Sequence, residues 1–375
     1  MSATKHAKHI LAVGGGKGGV GKSIFAIILS TSLAAMGKTV VMVDLDLGGA
    51  NLHNYLGIMD IKMPTLAHFF TNKVKSLDEL IIDTKVNNLR LISGAEYVPL
   101  MSNTTAAIKV ALAKGIKSID SDFIVIDLGA GMDLTTLDFF TFSNRGFLVT
   151  LPEPASIMNT YRFIKGALYR KLRNVFYKHK KIAFLLEKMV EKSGADNPLR
   201  LNWLMEKVHI IDPEAFLIVK EIAESFQPYL ILNRISSHES NHLVEGLLAH
   251  CQNKYNIHLR YLGNLPNSNT ISSYLMDIPS FLTSRHGKEF SIALNVIVKN
   301  LIIDSQELFA IARQLHIKTD YDDITINKIL LLIDSLDDSI FEETSRKLWK
   351  LRLFFKPIEV VRFLMNKGIR DEVFF

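Results

Sequence analysis

With 375 residues and 48 % hydrophobic content, the chain is long enough for two domains, or for one large α/β domain with additions. No stretch approaches the roughly 18 uninterrupted apolar residues of a spanning helix, and residues 1–9 are too polar for a signal peptide, so a cytoplasmic location is expected. A single cysteine, Cys251, excludes an internal disulfide or an all-cysteine metal or iron–sulfur site within one chain. The net charge of +6 belongs to residues 161–186, which hold eight Lys and Arg and no acid.

The first predicted element is the apolar strand Ile10-Leu11-Ala12-Val13. It runs into Gly14-Gly15-Gly16-Lys17-Gly18-Gly19-Val20-Gly21-Lys22-Ser23, and a helical pattern continues from Ser23 to Met36. Gly16 to Ser23 satisfies the phosphate-binding pattern G-x-x-x-x-G-K-[ST] in its required context of strand, loop and helix. Glycines are needed there because the backbone must adopt conformations that a Cβ forbids and must bring its N–H groups onto phosphate oxygens. Nucleotide contacts are expected from Gly16, Lys17, Gly18, Gly19, Val20, Gly21, Lys22, Ser23 and Ile24. Lys22 places a point charge on the β- and γ-phosphates, and the Ser23 hydroxyl serves magnesium. Lys17 has no duty in an ordinary loop of this kind.

Val40-Val41-Met42-Val43 and Phe123-Ile124-Val125-Ile126 are short apolar runs that end on Asp44 and Asp127, as buried parallel strands with a site at their C-terminal ends would. Asp44 and Asp46 stand two apart and point the same way from an extended strand. One suits the magnesium shell and the other an attacking water, while Asp127 is placed to hold magnesium directly or through water. Further strands are expected at Arg90-Leu91-Ile92, Phe147-Leu148-Val149-Thr150, Tyr229-Leu230-Ile231-Leu232 and Tyr261-Leu262-Gly263. Helical patterns at 105–116 and 157–168 fall between them. This alternation predicts an α/β fold, a doubly wound and mainly parallel sheet flanked by helices. Residues of about 166–226 read as a helical insertion in a domain covering 1–303, and 304–375 as a helical C-terminal extension. Within the extension, 346–356 is a basic amphipathic stretch stopped by Pro357.

In the form Lys-Gly-Gly-Val-Gly-Lys-Ser, the loop resembles the deviant Walker A of the MinD/ParA superfamily of P-loop ATPases. The run Asp44-Leu45-Asp46-Leu47-Gly48-Gly49-Ala50-Asn51, continuing to Gly57, is similar to switch I of its MinD/FlhG (FleN) branch, the flagellar-number regulators. Asp127 to Gly131 resembles switch II, with Leu128 and Gly129 departing from the usual residues. The resemblance covers residues 8–165 well and 228–300 loosely. It implies that Lys17 reaches a partner's nucleotide across a two-fold axis, that Lys17, Lys22 and Asp46 are the catalytic set, and that Ser23, Asp44 and Asp127 serve the metal. It also implies that Asn233 reads adenine, with Arg234 beside it and Pro266 in a loop along the base.

The function so implied is an ATP- and Mg²⁺-dependent, slowly hydrolysing dimerisation switch that positions a membrane-associated or flagellar assembly. Its partners would be a second copy, an anionic membrane at the inner face of the cell membrane, and a flagellar or polar-assembly protein. The alternative is a ParA-type DNA-partitioning ATPase that uses residues 161–186, although the Pro-Gln of that group is replaced by Leu47-Gly48. Iron–sulfur carriers share the loop but need paired cysteines.

Overall fold

The computed structural model describes residues 9–314 apart from 48, 61, 95–105, 144, 194–200, 236–239 and 256. Among these residues the strands are β1 His9–Gly14, β2 Val40–Leu45, β3 Ile82–Asp83, β4 Leu89–Ile92, β5 Phe123–Leu128, β6 Arg145–Thr150, β7 Tyr229–Ile235 and β8 Arg260–Pro266. They form one sheet in the order β3-β4-β2-β5-β1-β6-β7-β8. Every pairing is parallel except β3 with β4. The expected doubly wound sheet is therefore present, with β1 at its middle.

Among the described residues the α-helices are α1 Lys22–Ala35, α2 Leu52–Tyr55, α3 Leu66–Phe70, α4 Ala106–Ser118, α5 Leu134–Phe142, α6 Pro154–Val175, α7 Lys180–Ser193, α8 Leu201–Ile211, α9 Pro213–Ser225, α10 Ser240–Tyr255, α11 Ile278–Thr283 and α12 Lys288–Gln314. On one side of the sheet α5 packs between α4 and α6, with α7 and α10 also on α6; α1 packs with α11. The chain moves from β1 past β5 to β2, then returns across β1 to β6. β1 is thus the point where the winding reverses, and the crevice at its C-terminal end is where such sheets bind ligands.

β2 is buried along its whole length, which explains its continuous apolar run. Phe25 of α1 packs on Phe147 of β6 with ring centroids 5.5 Å apart, and Phe147 on Tyr229 of β7 at 5.2 Å. On the other side, Phe140 of α5 meets Phe163 of α6 edge to face. A side chain at Gly14 would stand 3.0 Å from both rings, so this glycine lets two helices close over the end of β1.

The described residues of 8–200 and 227–298 form one compact unit that holds the whole sheet; those of 201–226 and 299–314 form a second. In the second unit α8 and α9 pack on each other. Asp212 between them caps α9 by accepting from Ala215 N at 3.0 Å. The described parts of the expected insertion are helical. α12 runs without a break through residue 303, and the stretches 315–375 and 346–356 lie outside the described residues. Among the described residues no helix is long and apolar enough to cross a membrane.

One expectation is corrected. Pro266, expected in a loop after the short strand Tyr261-Leu262-Gly263, is the last residue of β8. The strand holds register with β7 through two irregularities, and Gly263, at φ 150°, stands at the first of them. Pro266 is tolerated because β8 is the edge of the sheet, where a missing N–H costs no ladder bond.

His9 opens β1 in register with Phe123 and stacks on its ring at 5.0 Å. Burial, reinforced by the charge of Arg145, pushes its imidazole down from 6.5 to about 4. The unfolded chain therefore takes up this proton first. The contribution of neutral His9 is complete above pH 6.5 and is lost as pH falls towards 4. Urea titrations at pH 7 and pH 4.5 are expected to show the wild type losing about 2–3 kcal/mol more than His9→Phe between the two conditions.

Candidate functional site

The loop from Gly15 to Gly21 leaves β1 and enters α1 at Lys22. Gly19 and Gly21 take φ of 74° and 96°, the left-handed region that side chains disfavour. A Cβ at Gly15 would come within 2.8 Å of the Val149 carbonyl, and one at Gly16 would strike the carbonyl of Asn159 in α6. The first turn of α1 carries no acidic side chain, which leaves the positive end of the helix for an external anion.

Lys22 is almost wholly buried under this loop, 6 % exposed, and its Nζ donates to the Lys17 carbonyl at 3.3 Å. Burial lowers its ammonium, opposed by the charges of Asp127 and Asp46. Strand register brings the next groups in: Asp127 is the partner of both Val13 in β1 and Asp44 in β2. Burial pushes the Asp127 carboxyl up to about 7 against a hydrogen bond from Ser23 and the charge of Lys22. Its Oδ1 is buried with no hydrogen-bond partner among the described residues.

Asp44 is fully buried, and burial, then Asp127, raise its carboxyl well above the usual range. Its Oδ1 accepts from Asp46 N at 3.1 Å and its Oδ2 from Leu52 N at 3.2 Å. Asp44 thus pins the turn that carries Asp46. The half-buried Asp46 carboxylate lies between two glycines: a Cβ at Gly129 would stand 3.1 Å from its Oδ1, and one at Gly49 3.4 Å from its Oδ2. Gly129, a departure from the family pattern, therefore makes room for Asp46 where the two strand-end segments meet.

Lys17 is at the exposed tip, with its Nζ 3.6 Å from Glu153 Oε2 at the start of α6. Asn233, ending the apolar part of β7, turns to the loop. Its Nδ2 donates to the Val20 carbonyl at 2.8 Å and its Oδ1 accepts from Arg234 N at 2.9 Å. Arg234, at φ 57°, directs Nη2 to the Gly19 carbonyl at 3.4 Å. In this structure both residues brace the phosphate loop, and both amide atoms of Asn233 are already in use. Pro266 is paired in register with Ile235.

The structure thus brings together Lys22, Ser23, Asp46 and Asp127 beside the glycine loop, with Asp44 behind them. The donor set fits a magnesium nucleotide. A hydroxyl and a carboxylate with one unpartnered buried oxygen suit a metal that takes its remaining ligands from phosphate and water, and the uncompensated helix end suits the phosphates. Sequence reading missed Glu153 and Asn159. The available signal was topological: β6 is the other neighbour of β1, so the residues just past its end also face the crevice.

The basic run 161–186 occupies α6 and α7. Tyr161, Phe163 and Phe176 are core residues there, whereas Tyr177 and Phe184 are 68 % and 54 % exposed. Arg170 is committed to Asp138, through Nε at 2.6 Å and Nη2 at 2.9 Å. Three of the six aromatic residues in 161–186 are therefore inside the protein and closed to a nucleic acid.

Residues 6–173 match the ParA group described as a NUBPL iron-transfer P-loop NTPase. The chain is 30 % identical to the antiactivator FleN of Pseudomonas aeruginosa over 162 residues, 43 % of this chain and 56 % of FleN. It is 35 % identical to the flagellum site-determining protein YlxH of Helicobacter pylori over 158 residues, 41 % of this chain and 52 % of YlxH. The chain thus spans about half the length of the curated relatives it matches. Its fold is similar to that of a chain in the MinC:MinD cell division protein complex of Aquifex aeolicus, with a TM-score of 0.51 at 16 % identity over 78 % of this chain and 96 % of that one.

The tightness of the loop is open to test by two substitutions. Gly16→Ala, which drives a Cβ into the Asn159 backbone, is expected to lower stability by about 1–3 kcal/mol in urea denaturation. Gly18→Ala, whose Cβ would stand 3.7 Å from that of Ala130, is expected to stay within about 0.5 kcal/mol of the wild type.

Proposed function

Because the chain belongs, through residues 6–173, to the ParA/MinD family of P-loop NTPases, we propose that it is an ATP-dependent dimerisation switch of the MinD/FlhG type, reset by slow hydrolysis. The observation that carries this reading is the placement of the Asp46 carboxylate against Gly129, with the exposed Lys17 on the adjoining loop. One acid is thereby poised between the two segments that would sense the γ-phosphate, and one cation stands outside the site.

In this reading the backbone N–H groups from Gly16 to Ser23 hold the phosphates and Lys22 neutralises the β- and γ-oxygens. Magnesium, held by Ser23 and Asp127, would supply further positive charge on the phosphate oxygens. Asp46 orients the attacking water and accepts its proton, and Asp44 keeps Asp46 in place through the 46–52 turn. Lys17 exchanges Glu153 for the nucleotide of a second copy. That pair is exposed on both sides, 43 % and 54 %, so it holds Lys17 only weakly. The similarity to YlxH, a flagellum site-determining protein, supports a flagellar assembly as what the dimer positions.

Sedimentation velocity with ATP and with ADP tests this reading. The wild type is expected to dimerise with ATP only, and Lys17→Ala to remain monomeric with either nucleotide. Asp46→Ala is expected to keep its ATP dimer while hydrolysis falls by about 10²-fold. A Lys17→Ala protein that dimerises like the wild type would contradict the shared-site mechanism. Parallel sedimentation with anionic liposomes and DNA retardation identify the surface used; retention by DNA alone would remove the membrane form of the reading.

A further inference from the structure

Away from the nucleotide loop, residues of α4, α5 and α6 line a cavity of about 350 Å³ that is open to solvent on one side. Its charged side is formed by Lys109, Asp138, Arg170 and Asn174, and its apolar side includes Val110, Ala113 and Phe139. Asp138 accepts four hydrogen bonds: two from Arg170, one from Lys109 Nζ at 2.9 Å and one from Asn174 Nδ2 at 3.0 Å. Both of its oxygens are therefore saturated. The donors are not.

Lys109 has two further ammonium N–H groups, Arg170 its Nη1 pair and Asn174 its second amide N–H, none bonded among the described residues. Two cations face one anion, so the cavity wall carries a surplus of one positive charge. Lys109 and Arg170 are only 17 % and 19 % exposed, which weakens screening of that charge by solvent. Among the described residues no other acid lines the cavity. Beside this wall stand apolar side chains, and Val110 at the rim is 53 % exposed.

We propose that this cavity binds a protein segment in which an aromatic or large aliphatic side chain stands next to a carboxylate. The apolar group fills the space over Ala113 and Phe139, and the carboxylate takes the spare donors of Lys109 and Arg170 as charge-assisted hydrogen bonds. Asp138 serves as the positioning residue, since it fixes both cations through their other donors. The volume suits one large side chain with its neighbouring acid. The exposed apolar rim favours a ligand that continues beyond the cavity over a small free acid.

The test uses the full chain without nucleotide, so its outcome is independent of the Lys17 experiment. The methyl resonances of Val110 and Ala113 are followed by NMR during titration with acetyl-Ala-Phe-Glu-Ala-amide, with its Gln counterpart, and with N-acetyl-phenylalanine. Saturable shifts are expected with the Glu peptide, with affinity at least about fivefold weaker for the Gln peptide and for the small acid. Lys109→Gln, which leaves Asp138 with Arg170, is expected to weaken the Glu peptide by a similar factor. Val110→Glu places a carboxylate at an exposed rim position without touching the core, and is expected to abolish the shifts. Absence of saturable shifts up to about 10 mM, or equal binding of the Glu and Gln peptides, would overturn the proposal. Unchanged binding by Val110→Glu would overturn the location, and equal binding of N-acetyl-phenylalanine would overturn the assignment to a protein segment.

Discussion

Two carboxylates are buried side by side at the ends of neighbouring strands, and the rest of the nucleotide site follows from how that burial is tolerated. The register of β2 on β5 sets Asp44 directly beside Asp127. Burying like charges in this way is costly unless hydrogen bonds and a cation answer them. Asp44 is answered by two backbone N–H groups, which forces the chain after β2 into the tight turn that presents Asp46. Asp127 is answered by Ser23 and Lys22, which ties the end of β5 to the first turn of α1. One oxygen of Asp127 remains over, buried and without a hydrogen-bond partner among the described residues.

The same constraint explains the glycines. A lysine is buried beneath the loop only if the loop passes close over it, and Gly15 and Gly16 allow the backbone to lie against Val149 and Asn159. Those contacts connect the loop to β6 and α6, so helices on one side of the sheet are seated directly on the nucleotide loop. Asn233 and Arg234 close the loop from β7, through the carbonyls of Val20 and Gly19. The loop is therefore held by β6, α6 and β7 before any ligand contributes.

Much of this was legible in the sequence because parallel strands buried on both faces leave continuous β-branched runs, and because such sheets place their chemistry at the strand ends. Lys22, Ser23, Asp44, Asp46 and Asp127 all follow from that rule. β3 was not legible, since two residues at an antiparallel edge have no periodicity. α5 was missed because Leu134–Phe142 is apolar on several faces and rich in aromatic residues. Its signal was the cap, Asp133, which accepts from Thr135 N and Thr136 N. Glu153 and Asn159 are joined to the loop only by the fold, through β6, and the pairing of Asn233 with Val20 is a choice among hydrogen-bond partners that spacing does not encode. The ion cluster around Asp138 draws on three helices, so no local pattern announces it.

In the proposed switch, the unpartnered oxygen of Asp127, beside Lys22 and Ser23, completes a magnesium nucleotide site. Calorimetric titration of the wild type and of Asp127→Asn with a non-hydrolysable ATP analogue, each with and without Mg²⁺, addresses it most directly. Mg²⁺ is expected to tighten binding to the wild type by at least about tenfold, or about 1.4 kcal/mol, and to leave Asp127→Asn nearly unchanged. An equal Mg²⁺ enhancement in both proteins, or no nucleotide binding by the wild type, would contradict it.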